Sequence, residues 1–154
     1  MSVGSLIDFD QLDEEVQKLI RESASARSFS YSPYSKFKVG SALLCEDGSV
    51  RTGCNVENAS FSVTICAERC ALIKAVSEGR QRFRSIGIVA DRIDGRLTTP
   101  CGVCRQMLSE FGDFAVYIAS PDMRQALVTT THELLPHVFR KGSKNNFESS
   151  SMPV

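Results

Sequence analysis

Three cysteines and a carboxylate in two separate segments constrain this chain more than any other feature. In "TICAERCALIKA" (64–75), Glu68 lies two residues after Cys66 and two before Cys70. In "TTPCGVCRQML" (98–108), Cys101 and Cys104 follow Pro100. Both stretches read as helix starts. Thr64 and Thr99 are suited to cap them, and Pro100 to the first helical position. Cys101 and Cys104 are three apart and share a helix face. Cys66 sits at the same depth in its own helix. Free backbone N–H groups and the dipole at a helix N-terminus lower thiol pKa values and stabilise thiolates. A fold that uses these thiols together must bring two helix N-termini to one point.

A lone C-x-x-C is redox-active, metal-binding or incidental. Three thiolates suit a zinc ion and leave one tetrahedral position open, the pattern of a catalytic site. Water at that position ionises near neutral pH when a base receives its proton. Glu68 is the nearest carboxylate in sequence. The plainer reading makes it a dipole partner in a first helical turn. Cys70 opens another alternative. Four residues after Cys66, it shares that residue's helix face and would close an all-cysteine, purely structural site. Yet it sits about 6 Å further along the axis, among Ala71, Leu72 and Ile73, where a free thiol packs as a small hydrophobe.

The surrounding sequence predicts one α/β domain over residues 1–140, followed by a Ser-rich tail, 141–154, expected to be disordered. A helix is expected over 10–27, with Leu12, Val16, Leu19 and Ile20 at helical spacing and Asp10 at its cap. "SFSYSPYS" (28–35) ends it. Strands at 37–45 and 49–56 flank the turn signal "EDG". Residues 85–90 read as a buried strand, and 114–120 and 125–131 as two more. "HELLPHVF" (132–139) is a helical turn stopped by Pro136. This order implies one mixed sheet covered by helices.

Charge narrows the partners. The 18 basic and 18 acidic residues cancel, whereas a polynucleotide binder carries a basic excess. No segment is long and apolar enough to span a bilayer, and no N-terminal run resembles a signal peptide. Six cysteines in a reducing compartment stay free or bind metal, so the expected location is cytoplasmic. The two histidines, His132 and His137, lie outside the motifs and read as non-ligands. Cys45 and Cys54 fall within strands and read as packing residues. Asn55 and Glu57, two apart at a strand end, point the same way and suit a grip on sugar hydroxyls, although such residues more often face solvent.

The blocks "SPYSKFKVGSALL", "GCNVENASFS", "ICAER", "PCGVCRQ" and "ELLP..F" run in order through most of 31–139. Together they resemble the small cytidine deaminases, and C-A-E followed by P-C-x-x-C is similar to the zinc-deaminase signature. The resemblance implies a three-layer α/β fold with a mixed five-stranded sheet flanked by helices. It implies hydrolytic deamination of cytidine and deoxycytidine with release of ammonia, one Zn2+ per subunit on Cys66, Cys101 and Cys104, and Glu68 shuttling protons while activated water attacks C4. Arg69 resembles an arginine that donates to the ligand sulfurs, offsetting the net negative charge of three thiolates on Zn2+. By the same resemblance, Asn55 and Glu57 hold the ribose 3′-OH and Phe37 packs on the base. Ala67 also lines the substrate. Phe139 completes a neighbouring subunit's site in a homotetramer. Phe61 stands where relatives often carry tyrosine, which leaves its part in subunit contacts or the sugar pocket open. Two rival readings remain at this point: a related deaminase acting on another aminonucleoside or on polynucleotide, and a non-catalytic module built on a four-cysteine zinc site.

Overall fold

The computed structural model describes residues 4–141. The expected tail, from residue 142 onward, lies outside the described residues. Six strands form one sheet: β1 (Ser5–Asp8), β2 (Val39–Cys45), β3 (Val50–Cys54), β4 (Phe83–Ala90), β5 (Ala115–Ala119) and β6 (Gln125–Thr130). Their order is β1-β6-β5-β4-β2-β3. Only β4 and β5 run parallel; the other neighbours are antiparallel. The helices are α1 (Glu14–Arg27), α2 (Ala67–Ser77), α3 (Gly102–Ser109) and the single turn α4 (Thr131–Leu134).

Five strands were expected, and the sixth is β1. Its four residues, Ser-Leu-Ile-Asp, lie at the sheet edge against β6 and are mostly exposed, so they carry no alternating pattern. The first helix begins at Glu14 rather than residue 10. Asp10 sits in a 3-10 turn, and Asp13 takes the cap position. Thr64 and Thr99 do not cap their helices either. Cys66 and Cys101 themselves occupy the N-cap positions, with extended backbone, and Pro100 precedes the cap. The expected turn near 132 is α4, held by a capping box in which Thr130 accepts from the Glu133 N–H and the Glu133 carboxylate accepts from the Thr130 N–H.

The sheet is covered on both faces. Along β4, Ile86 and Ile88 point toward α2 and α3, joining Leu43, Leu72, Ala75, Leu108, Val116 and Ile118 in one apolar cluster. Val89 points the other way, toward Ile20 of α1 with Ala119 and Ala126. This period-two alternation builds the three layers. Buried apolar area at roughly 25 cal/mol per Å² is the main stabilising term. Glycine sets the distance between layers at two points. A Cβ on Gly40 would come 2.3 Å from the Arg27 nitrogen of α1, and one on Gly53 would come 2.5 Å from the Ala71 nitrogen of α2.

Topology gathers the motif-bearing segments. β3 and β4 both run antiparallel to β2, so their carboxyl ends leave the sheet on the same side. β3 leads to α2, and β4 leads to α3, which returns to the parallel strand β5. Both helix N-termini therefore open at the carboxyl edge of the sheet, the usual ligand side of α/β sheets. Phe37, at the entrance to β2, lies on that same edge. Among the described residues, no helix is long and apolar enough to cross a membrane.

Candidate active site

The two helix starts meet. The sulfurs of Cys66, Cys101 and Cys104 all lie within 4.8 Å of one another, and those of Cys66 and Cys101 are 3.9 Å apart. Tetrahedral zinc with Zn–S bonds of about 2.3 Å needs sulfurs about 3.8 Å apart. The donor set therefore fits one zinc ion. Cys66 and Cys101 precede their helices by one residue, while Cys104 is the third helical residue of α3 and fully buried. Hydrogen bonding from Cys104, together with the Arg69 guanidinium, pulls the Cys66 thiol down to about 5. Cys104 is pushed up for the reciprocal reason, because it is the donor to Cys66 and is buried. Cys66 thus holds the anionic form of the pair.

Arg69 supplies the expected cation. Its Nη2 donates to the Cys66 sulfur at 3.6 Å and to the Thr64 carbonyl at 3.0 Å. Its buried Nε has no acceptor among the described residues. A free donor beside three thiols suits a fully ionised sulfur cluster, which independently supports the fit to a divalent cation.

Glu68 is the second helical residue of α2 and is only 5% exposed. Burial pushes its carboxyl up to about 7, and the Cys66 charge pushes in the same direction. A helix-start glutamate facing solvent would show neither feature, so the dipole-partner reading does not account for it.

Cys70 is not in the sulfur cluster. The sequence placed it on the face of Cys66 by helical spacing. Cys66 is the N-cap, however: its carbonyl accepts from the Cys70 N–H at 3.0 Å, but its extended backbone takes its side chain off the i,i+4 helix face. Cys70 instead lies beside Gly53 and lines a separate groove with Cys54, Phe29 and Lys74. Both Cys54 and Cys70 are partly exposed rather than packed in the core, and all six cysteines are free thiols. His132 and His137 lie away from the cluster; His132 pairs with Arg140.

Asn55 and Glu57 are buried, not solvent-facing, at 8% and 7% exposure. Asn55 donates to the Phe37 carbonyl at 2.8 Å and accepts from the Val39 N–H at 2.9 Å and from the Ser30 hydroxyl. The Glu57 carboxylate accepts from the Tyr34 N–H at 3.0 Å, the Ser35 N–H at 3.2 Å and the Ser35 hydroxyl. Between them, Val56 forms a backbone bridge to Ile65, the residue before Cys66. The pair therefore ties the 30–39 loop to the metal-ligand segment. Phe37 is half-buried, and Ala67 is fully buried at the first position of α2. Phe139 is 76% exposed, with its carbonyl held by Gln106. Phe61 is exposed and meets Tyr34 edge-on.

Ser30, Ser35 and Arg105 are functional-site contacts that no chemical pattern in the sequence singled out. Arg105 donates to the Pro100 carbonyl, the Thr99 hydroxyl and the Leu134 carbonyl, at 2.7, 2.8 and 2.9 Å. It thereby clamps the turn that presents Cys101 onto α4. Its place inside "PCGVCRQ" was the one available signal.

A three-layer α/β fold with a cysteine-lined cation site and a buried carboxyl at the sheet's carboxyl edge defines a zinc-dependent hydrolase class. Residues 13–120 match the family model described as the cytidine and deoxycytidylate deaminase zinc-binding region. The chain is 48% identical over 126 residues to a probable cytidine deaminase of Dictyostelium discoideum, covering 82% of this chain and 84% of that one. It is also 48% identical over 131 residues to a cytidine deaminase of Sporosarcina psychrophila, covering 82% and 93%. The crystal structure of cytidine deaminase from Burkholderia pseudomallei superposes with a TM-score of 0.75 at 39% identity, over 83% of this chain and all of the other. The chain belongs to the cytidine and deoxycytidylate deaminase family of zinc-dependent hydrolases.

Proposed function

We propose that this chain deaminates cytidine and deoxycytidine hydrolytically, giving uridine or deoxyuridine and ammonia in the salvage of pyrimidine nucleosides. The observation that carries the reading is the convergence of three thiols within 4.8 Å beside a buried, high-pKa carboxyl. Cys66, Cys101 and Cys104 would hold the zinc ion, which when bound lowers the pKa of water and readies it for attack. Glu68, with its pKa about 7, exchanges protons in both directions near neutral pH. It takes one proton from the attacking water and delivers it to the ring nitrogen next to the reacting carbon, then takes the second from the hydroxyl so added to that carbon and passes it to the leaving amine. Arg69 offsets the excess negative charge of the thiolates.

Asn55 and Glu57 face the ribose 3′-OH, and the hydrogen bonds that bury them fix their orientation in advance. Phe37 packs on the base, and Ala67 offers its free helix-start N–H beside it. A sugar-gripping pair in a chain of zero net charge suits a free nucleoside better than a polynucleotide, whose binding is mainly electrostatic. The free thiols suit a reducing cytoplasm. Exposed Phe61, Val63 and Phe139 are the apolar surface that a homotetramer would cover, with Phe139 reaching a neighbour's site.

Conversion of cytidine to uridine lowers near-ultraviolet absorbance, so a spectrophotometric assay tests the reading directly. Turnover is expected with both nucleosides, abolished by a chelator and restored by zinc. A zinc-loaded preparation inert toward both would refute it. Sedimentation at assay concentration tests the tetramer.

A further inference from the structure

The ladder between β2 and β4 ends at the pair Val39 and Ala90. The next residue on each side, Lys38 and Asp91, has no backbone partner across this gap. The Arg27 guanidinium fills the missing rung. Its Nε donates to the Lys38 carbonyl at 3.0 Å, and its Nη2 donates to the Asp91 carboxylate at 2.7 Å. Arg27 is the last residue of α1, and it reaches this position because Gly40 has no side chain. A Cβ there would come 2.7 Å from the Arg27 Cα. Arg27 is also the better buried partner, with its side chain 22% exposed against 53% for Asp91.

The two strand ends joined in this way lead to different parts of the site. Lys38 is followed, in reverse chain direction, by Phe37 and by Lys36, whose φ of 59° is left-handed. Such a loop holds its shape only if fixed by its surroundings. Asn55 anchors it at the Phe37 carbonyl and the Val39 N–H, and Arg27 supplies the anchor between. Asp91 opens the segment that leads to Cys101, and its own carbonyl accepts from the Thr98 hydroxyl at 2.7 Å.

We infer that Arg27 and Asp91 are positioning residues, a guanidinium rung that sets the base-packing Phe37 loop at a fixed distance from the segment carrying Cys101 and Cys104. The inference rests on the reading of Phe37 and the cysteines given above. Neither residue touches substrate. Their effect is on where the base sits relative to the metal ligands. Because Phe37 contacts the base equally before and during reaction, loosening the loop weakens uniform binding and raises KM more than it lowers kcat.

The test compares the zinc-loaded wild-type protein with Asp91→Asn, Arg27→Gln, Arg27→Lys and the double variant Arg27→Gln/Asp91→Asn. KM for cytidine is expected to rise about three- to tenfold in Arg27→Gln, with kcat within about twofold and zinc content unchanged. Arg27→Lys should fall between, since one ammonium lacks the fixed fork that serves both acceptors. The double variant should be no worse than Arg27→Gln, because the two side chains act as one unit. Raising ionic strength should raise KM in the wild type and leave Asp91→Asn flat. Hydrogen exchange gives a readout independent of turnover. Amides at 34–38 and at 92–99 should both exchange faster in Asp91→Asn. If exchange at 34–38 is unchanged there, the rung is refuted whatever the enzyme turns over. An unchanged KM, strictly additive effects, or zinc loss in step with activity would also overturn it. Absent cytidine turnover in the wild type would instead sink the functional reading, leaving exchange to judge the rung.

Discussion

Replacing Gly53 by alanine links one missing methyl group to the chemistry two elements away. Gly53 lies in β3 directly beneath α2, and its φ is not in the left-handed region, so alanine meets no backbone penalty there. The penalty is steric. The new Cβ would sit 2.5 Å from the Ala71 nitrogen, 2.6 Å from the Ala67 carbonyl and 2.9 Å from the Cys70 Cβ, whereas ordinary contact begins at 3.4 Å. The two closest neighbours are helix backbone, so no side chain can swing away. The helix must withdraw by about 0.9 Å. Overpacking of this kind costs about 1–3 kcal/mol, which for a chain of this length lowers Tm by about 3–10 °C. Cys66, Ala67 and Glu68 all ride on the first turn of α2. A shift near 1 Å at a reacting group costs about 10²-fold in rate. Calorimetry, metal analysis and cytidine turnover on Gly53→Ala should therefore show a folded protein, less stable by that amount and slower by about two orders of magnitude. Wild-type kcat with an unchanged Tm would mean that α2 does not rest on β3 as described.

Glu68→Gln should retain zinc yet lose about 10²- to 10⁴-fold in kcat, because an amide cannot accept the proton; near-normal turnover would remove Glu68 from its role. Cys70→Ser should keep full metal content and activity, while Cys101→Ser should lose metal by elemental analysis; metal loss in the first variant would revive the four-cysteine site. Glu57 is held below its ordinary pKa of 4.5, chiefly by the Ser35 hydroxyl, so its carboxylate stabilises the fold above that pH and the contribution fades as pH falls through the depressed value. The Tm gap between wild type and Glu57→Gln should accordingly shrink on acidification below about pH 4.5; a gap constant from pH 6 to pH 3 would contradict the hydrogen bonds described.

The three clustered thiols and the buried carboxyl beside them were legible because their spacing is local. Cys101-x-x-Cys104 beside Pro100, and Cys66 two residues from Glu68, announce two chemically special helix starts. The α/β order was legible for a similar reason: β4 carries a continuous apolar run, β2 and β3 flank the turn signal "EDG", and α1 shows helical periodicity. The strand β1 was not legible, since an exposed four-residue edge strand is specified by its partner β6 rather than by its own pattern. Caps were misplaced by two or three residues: Cys66 rather than Thr64, Cys101 rather than Thr99 and Asp13 rather than Asp10.

What remained open in the sequence was settled by packing across the sheet. Cys70 had two readings while only helical spacing was known. The extended conformation of Cys66 and the close seat of α2 on Gly53 turn it toward Cys54, away from the other three sulfurs. Asn55 and Glu57 had two readings, a grip on sugar hydroxyls and a solvent-facing strand end; the 30–39 loop folds over them and buries both. Short-range sequence thus determined which residues are chemically competent and which elements carry them. Only the tertiary structure decided which competent groups meet, because convergence depends on strand direction and on the contact distance between layers, and neither is encoded within any single segment.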